Sequence, residues 1–215
     1  MKTCWNDLTI KDLLLIKEID SLQLATQDEK NLKVAAIVAE EDYDKILLEP
    51  LASAKNYIDA ASFLLEKPKP IKAKRFYTIN GREYKLFKNP AEMNVAQYID
   101  FQAIYQDGFD KRPAELLSVM LIPKGHEYGD GYDKEQVVED MYDMRVEEAL
   151  GVCDFFIKRY SRSIKQALAY CRIMSRIMRI LAKKKDKEKM RALEIQTNLI
   201  ADELECIYGS LVSPL

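Results

Sequence analysis

His126 is the only histidine in the chain, so it is the first residue to test for chemistry. It lies beside Glu127 and close to Asp130. A zinc site would need further ligands at a suitable spacing, and a catalytic triad would need a nucleophile that the sequence does not place. We therefore interpret His126 as a solvent-facing loop residue.

The segment around His126 is rich in glycine. Gly125, Gly129 and Gly131 do not have the spacing of a dinucleotide-binding or phosphate-binding loop, and no strand is predicted before them. The carboxylates that follow lack the order of calcium ligands in an EF-hand. We therefore expect residues 122–133 to form a mobile surface loop that holds no metal and no cofactor. A hydrolase that uses this loop is the weakest of three functional hypotheses.

Adjacent carboxylates occur repeatedly in the chain, and a pair of carboxylates can act as acid and base. Such work requires the two groups to lie in different environments, usually in a cleft. The pairs in this chain fall on helix faces that are expected to be solvated, so we predict no catalytic residue and no enzymatic activity. The pairs are Glu40–Glu41, Glu139–Asp140 and Glu147–Glu148.

The four cysteines have no CxxC spacing, which argues against a zinc or redox motif. We expect them to be reduced thiols that pack as small apolar side chains. The N-terminal residues lack the apolar core of a signal peptide, and every apolar run is too short to cross a bilayer. These features predict a protein of the cytoplasm that has no membrane partner.

The elements that carry these residues are predicted to be mainly α-helical. Seven glycines and seven prolines are few for an all-β chain. Thr9, followed three residues later by Asp12, predicts a capping box, and Asp28 is the next expected cap. Three regions follow from the pattern. They are a helical bundle over 1–66, a Pro-rich arm with a β-hairpin over 67–90, and a helical region over 91–215 that ends in a basic helical pair.

A short β-hairpin over about residues 75–87 is the clearest local prediction. Asn80-Gly81 suits a type I′ turn, in which both central residues need a positive φ. Phe76 and Thr78 are expected to share faces with Tyr84 and with Leu86. An isolated hairpin is only marginally stable, so it must pack on helices or pair with another strand.

The C-terminal third contains little that would stop a helix. A short helix over 145–150 is predicted to end near Gly151, and residues 153–207 lack proline. This stretch forms either one long helix or an antiparallel pair that turns near 184–189. We favour the pair, because both halves carry apolar stripes that need to be covered.

The net charge of −2 conceals separate blocks of opposite sign. Residues 67–88 hold eight basic residues and one acid, and residues 158–191 hold thirteen basic residues and two acids. Part of the second block falls on one helix face, at i, i+4, i+7 and i+11. This face pairs either with acidic groups or with phosphates. Its members are Arg172, Arg176, Arg179 and Lys183.

Several segments, taken in order, resemble small proteins of tailed bacteriophages, especially phages of gut Bacteroidota. They are WNDLTI at 5–10, TINGREYKL at 78–86, VAQYIDFQAIY at 95–105, LIPKGHEYGDGYD at 121–133 and CDFF at 153–156. Proteins of this type are described as tail assembly chaperones or as structural proteins. The resemblance implies binding to tail or neck proteins, either transiently or within the particle.

The leading hypothesis is thus a non-enzymatic phage protein that works through protein–protein contacts, in the host cytoplasm or in the virion. A homo-oligomer is compatible with it. The alternative is a nucleic-acid-binding helical module that uses residues 158–191. The residues predicted to contact a partner are Phe76, Tyr77, Tyr84, Arg172, Arg176, Arg179 and Lys183.

Overall fold

A computed structural model describes residues 1–23, 26–89, 93–107 and 111–181. The predicted fold class is confirmed, because the chain is mainly helical with one small antiparallel sheet. The helices are α1 (Ile10–Ser21), α2 (Gln27–Ala39), α3 (Tyr43–Leu47), α4 (Leu51–Ala60), α5 (Val95–Asp107), α6 (Pro113–Met120), α7 (Lys134–Tyr142) and α8 (Val146–Leu181). Short 3-10 helices cover Trp5–Asp7 and Ala61–Leu65. The strands are β1 (Phe76–Ile79), β2 (Arg82–Leu86) and β3 (Leu121–Pro123).

The chain divides into two compact units. The first contains Met1–Phe87 and Asn94–Phe155, and the second contains Lys88–Met93 and Phe156–Leu215. Residues on both sides of position 66 belong to the first unit, and the three predicted regions stay a prediction. Backbone contacts between distant segments explain this shared unit, since the amide of Ile10 donates to the carbonyl of Met144 at 2.9 Å and that of Val146 donates to Leu8 at 2.8 Å.

Helix starts follow from local side-chain chemistry. The capping box at Thr9 is confirmed, because its side chain accepts from the Asp12 amide while the Asp12 carboxylate accepts from the Thr9 amide. The expected cap at Asp28 is wrong, since Thr26 fills that position and accepts from the Glu29 amide. Asn94 caps α5 by accepting from the Gln97 amide at 2.8 Å.

The hairpin is confirmed, but its face assignment differs from the expected one. Asn80 and Gly81 have φ of 49° and 76°, as a type I′ turn requires. A two-residue turn pairs Ile79 with Arg82, and this sets Tyr77 opposite Tyr84. Tyr77, Ile79, Tyr84 and Leu86 are buried, whereas Phe76 and Thr78 are exposed.

A third strand completes the sheet in the order β1-β2-β3. The loop predicted over 122–133 begins instead as a strand, in which Leu121 pairs with Leu86 and Ile122 pairs with Lys85. The hairpin therefore obtains the additional strand that an isolated pair needs for stability.

The Pro-rich arm lies against the start of α8. The amide of Ile71 donates to the carbonyl of Glu147 at 3.0 Å. The Lys69 amide donates to the Glu147 carboxylate, and the Lys74 ammonium lies 2.5 Å from Glu148. The predicted helix end at Gly151 is wrong, because α8 passes through it. Glycine is required there by close packing, since a Cβ on Gly151 would lie 1.8 Å from the carbonyl oxygen of Ile71.

Helix α8 extends to Leu181 without interruption. The choice between a long helix and a helical pair turning near 184–189 falls on residues outside the described ranges, as does Lys183.

Candidate interaction surfaces

A buried polar network fastens the hairpin to α7. The side chain of Asp140 is almost fully buried, and its carboxylate accepts hydrogen bonds from the Tyr84 hydroxyl, from Arg82 at 2.7 Å and from Asn80 at 3.2 Å. Gln136 donates to the same group at 3.3 Å. Every donor is supplied by the fold, so the carboxylate is used to hold the sheet on the helix.

The electrostatics of Asp140 follow from these donors. Burial by itself would raise the pKa of Asp140, but the hydrogen bonds from Tyr84, Arg82 and Asn80 outweigh it and lower the pKa below its ordinary value. Burial and the neighbouring carboxylate raise the pKa of Tyr84, which remains a neutral donor. The expectation that Glu139–Asp140 lies on a solvated face is therefore wrong for Asp140, although Glu139 is exposed.

A further polar cluster holds the glycine-rich loop to α5. The Tyr128 hydroxyl donates to Asp100 at 2.6 Å, and the Lys134 ammonium lies 3.2 Å from the same carboxylate. The Asn94 amide group donates to the Tyr128 carbonyl at 3.1 Å. The Tyr128 ring is also buried, so the loss of its apolar surface from water stabilises the cluster further. These bonds attach Tyr128 and Lys134 to α5 and to the residue before it, and the mobility expected of the 122–133 loop stays a prediction.

His126 lies in that loop as an exposed side chain whose ring meets Tyr132 edge to face, with ring centroids 5.9 Å apart. Within the described ranges, no group of three His, Cys, Asp or Glu side chains could hold a metal ion.

Cys153 is a buried free thiol, and its burial, followed by the charge of Asp154, raises its pKa. Cys4 is a free thiol on the surface. Cys206 and the side chain of Cys171 fall outside what the structure describes.

A cleft of about 450 Å³ lies between α1 and α2. Its lining includes the ion pair of Lys2 with Asp12, whose atoms are 2.7 Å apart. Burial would raise the pKa of Asp12, but hydrogen bonds from Lys2 and Thr9 lower it. Glu40 also lines the cleft and lies 3.7 Å from the same Lys2 ammonium, so this cation is shared between the two carboxylates.

The hairpin residues predicted to contact a partner are divided between the two faces of the sheet. Tyr77 and Tyr84 are buried and belong to the core, where the Tyr77 hydroxyl accepts from the Lys74 amide at 2.8 Å. Phe76 is 40% exposed on the outer face of the edge strand β1.

Cations surround the exposed Phe76 ring. The Arg75 guanidinium lies 5.1 Å from the ring centroid and the Lys124 ammonium lies 5.7 Å from it. Lys85, the cross-strand partner of Phe76, is exposed on the same face. Glu83 adds an acid to this face, 2.5 Å from Lys124. We call Arg75, Phe76, Lys85 and Lys124 the Phe76 face. It combines an exposed aromatic side chain with a positive rim, which is the composition of an energetically important protein contact.

The basic helix face is described only in part. Arg172 is exposed on α8, while the side chains of Arg176 and Arg179 lie outside the description. Four further basic side chains on α8 are also exposed. They are Lys158, Arg159, Arg162 and Lys165.

No helix in the described part of the chain is both long and apolar enough to span a membrane. No protein-family model, curated protein or solved structure matches the chain.

Proposed function

We propose that this chain is a non-enzymatic phage protein that binds tail or neck proteins, as an assembly chaperone or as a part of the virion. The resemblance of its ordered segments to small phage proteins supports the phage assignment. The observation that carries the contact role is the Phe76 face, where an exposed aromatic ring on an edge strand is framed by cations.

The chemistry of this face defines the partner surface that fits it. Arg75 and Lys85 favour acidic side chains, whereas Lys124 is already paired with Glu83, and the ring of Phe76 requires an apolar pocket between them. Rim charges of this kind raise the rate of association and make it depend on salt.

Replacing Phe76 by alanine is expected to weaken binding to the cognate tail or neck protein about 10-fold or more, because a central aromatic contact commonly contributes more than ~1.4 kcal/mol. The affinity can be measured by calorimetry against each tail and neck protein encoded beside this chain. Tyr98→Ala is the matched control, since Tyr98 is also 40% exposed but lies on α5. Absence of binding to every one of these proteins would refute the proposed function.

A second function is favoured by a separate observation. Five basic side chains of α8, Lys158, Arg159, Arg162, Lys165 and Arg172, are exposed on a helix segment that contains no acid between 158 and 181. Such a segment suits the phosphates of a nucleic acid.

If this segment binds DNA through about five phosphates, affinity should fall about 500-fold between 50 and 200 mM salt. Gel shifts over a salt series measure this slope, and the double variant Arg162→Ala/Lys165→Ala should reduce it by about two. Lys11→Ala/Lys55→Ala removes two exposed lysines elsewhere and should leave it unchanged. A gel shift that shows no complex at low salt would exclude this function.

A further inference from the structure

Three leucines are exposed together at the corner between α3 and α4. Leu48 and Leu51 are 89% and 86% exposed, and Leu47 adjoins them. Single exposed leucines are ordinary on protein surfaces, but a contiguous group indicates a contact. We call Leu47, Leu48 and Leu51 the leucine corner.

The leucine corner lies in an acidic segment. Residues 40–51 contain five acids and one base. Glu41 and Lys45 pair at 2.6 Å, and Glu40 lies 3.4 Å from the N-terminal ammonium and 3.7 Å from the Lys2 ammonium. Asp44 and Glu49 are the further acidic residues beside the corner. A partner surface that covers these leucines should therefore be apolar and basic.

The second compact unit carries a surface of that composition. Tyr170 and Ile173 are 63% and 54% exposed on α8, and they are three residues apart, so they lie on one side of the helix. Residues 158–181 contain seven basic residues and no acid. Arg162 lies eleven residues before Ile173, about three turns, so it falls on the same side of the helix. We call the side of α8 that bears Arg162, Tyr170 and Ile173 the basic apolar face.

We propose that the leucine corner of one copy of this chain binds the basic apolar face of a second copy. Charge complementarity identifies the occupant. Each surface has exposed apolar side chains, their local charges are opposite in sign, and both surfaces belong to the same chain. Two like copies of either surface would instead bring charges of one sign together.

The contact is head-to-tail, because the two surfaces that meet are different. A dimer formed in this way still offers one unused surface of each kind, so association continues into a ring or a filament. This oligomer goes beyond the proposed function, which requires only the Phe76 face and does not depend on self-association.

Sedimentation velocity of the full chain over a concentration series tests the proposal. We expect species larger than a dimer that grow with concentration and shrink as salt is raised, because exposed charges are screened. Leu48→Ser/Leu51→Ser and Tyr170→Ser/Ile173→Ser should each be monomeric. Leu65→Ser is the matched control, since Leu65 is 90% exposed beyond the far end of α4 and should assemble as the native chain does.

Mixing the two double variants gives the decisive result. Each retains one intact surface, so together they should form a 1:1 heterodimer that grows no further. A native chain that stays monomeric at all concentrations would overturn the proposal. So would double variants that assemble alone, or a mixture that forms no complex. Circular dichroism confirms that each variant is folded before it is scored.

Discussion

Gly151→Ala should destabilise the first compact unit by at least about 3 kcal/mol. A Cβ at this position would lie 1.8 Å from the carbonyl oxygen of Ile71, and neither backbone can move without losing the hydrogen bond between Ile71 and Glu147. The gain in helix propensity from glycine to alanine is only about 1 kcal/mol, so the steric term dominates. Urea unfolding followed by circular dichroism measures the difference.

Gly81→Ala is the control for this variant. Nothing lies within 4 Å of a Cβ on Gly81. The destabilisation of Gly81→Ala therefore comes only from the φ of +76° and should be about 1–2 kcal/mol. Adding Ile71→Ala to Gly151→Ala should not restore stability, because the obstructing atom belongs to the backbone. A Gly151→Ala protein that matches or exceeds the stability of the native chain would show that the arm does not lie against α8.

Asp140→Asn should cost about 2–4 kcal/mol at neutral pH. The buried Tyr84 hydroxyl and the Arg82 guanidinium would lose a charged acceptor, and bonds to charged groups are among the stronger ones in proteins. The neighbouring variant Glu139→Gln alters an exposed carboxylate and should change stability by no more than about 0.5 kcal/mol.

The same variant should change the pH dependence of stability. The pKa of Asp140 is lower in the folded chain than its ordinary value of 3.8, so its contribution is complete above that value and is lost as the pH falls through the folded pKa. The native chain should therefore lose more stability than Asp140→Asn between neutral pH and pH 3. Equal acid sensitivity of the two proteins would contradict the role assigned to the network.

Local features of the fold were predictable from the sequence. The capping box at Thr9 and the Asn80-Gly81 turn depend on neighbouring residues, and both are confirmed. The faces of the hairpin could also have been assigned, because a two-residue turn that pairs 79 with 82 must pair 77 with 84. The face that carries Tyr77, Ile79, Tyr84 and Leu86 is the more apolar one, so the outward position of Phe76 could have been predicted.

Features that depend on distant partners were not predictable in this way. Strand β3 is only three residues long, and its apolar residues suit the end of a helix equally well until Leu86 is placed beside them. The sequence indicates a helix end at Gly151, because it does not show that Ile71, 80 positions earlier, packs against this glycine. The burial of Asp140 could have been predicted, since this residue lies three positions after Val137 on the buried side of α7.

The order of synthesis has a consequence for how the first compact unit folds. The hairpin emerges from the ribosome before β3, before its acceptor Asp140 and before Gly151, against which the arm lies. Until about residue 151 is available, the strands of residues 76–86 form only an unsupported pair. The contacts that support them close loops of 35 residues, from Leu86 to Leu121, up to 80 residues, from Ile71 to Gly151, and closing these loops costs entropy. The unit therefore acquires its stable sheet late, in one step that joins the first third of the chain to the start of α8.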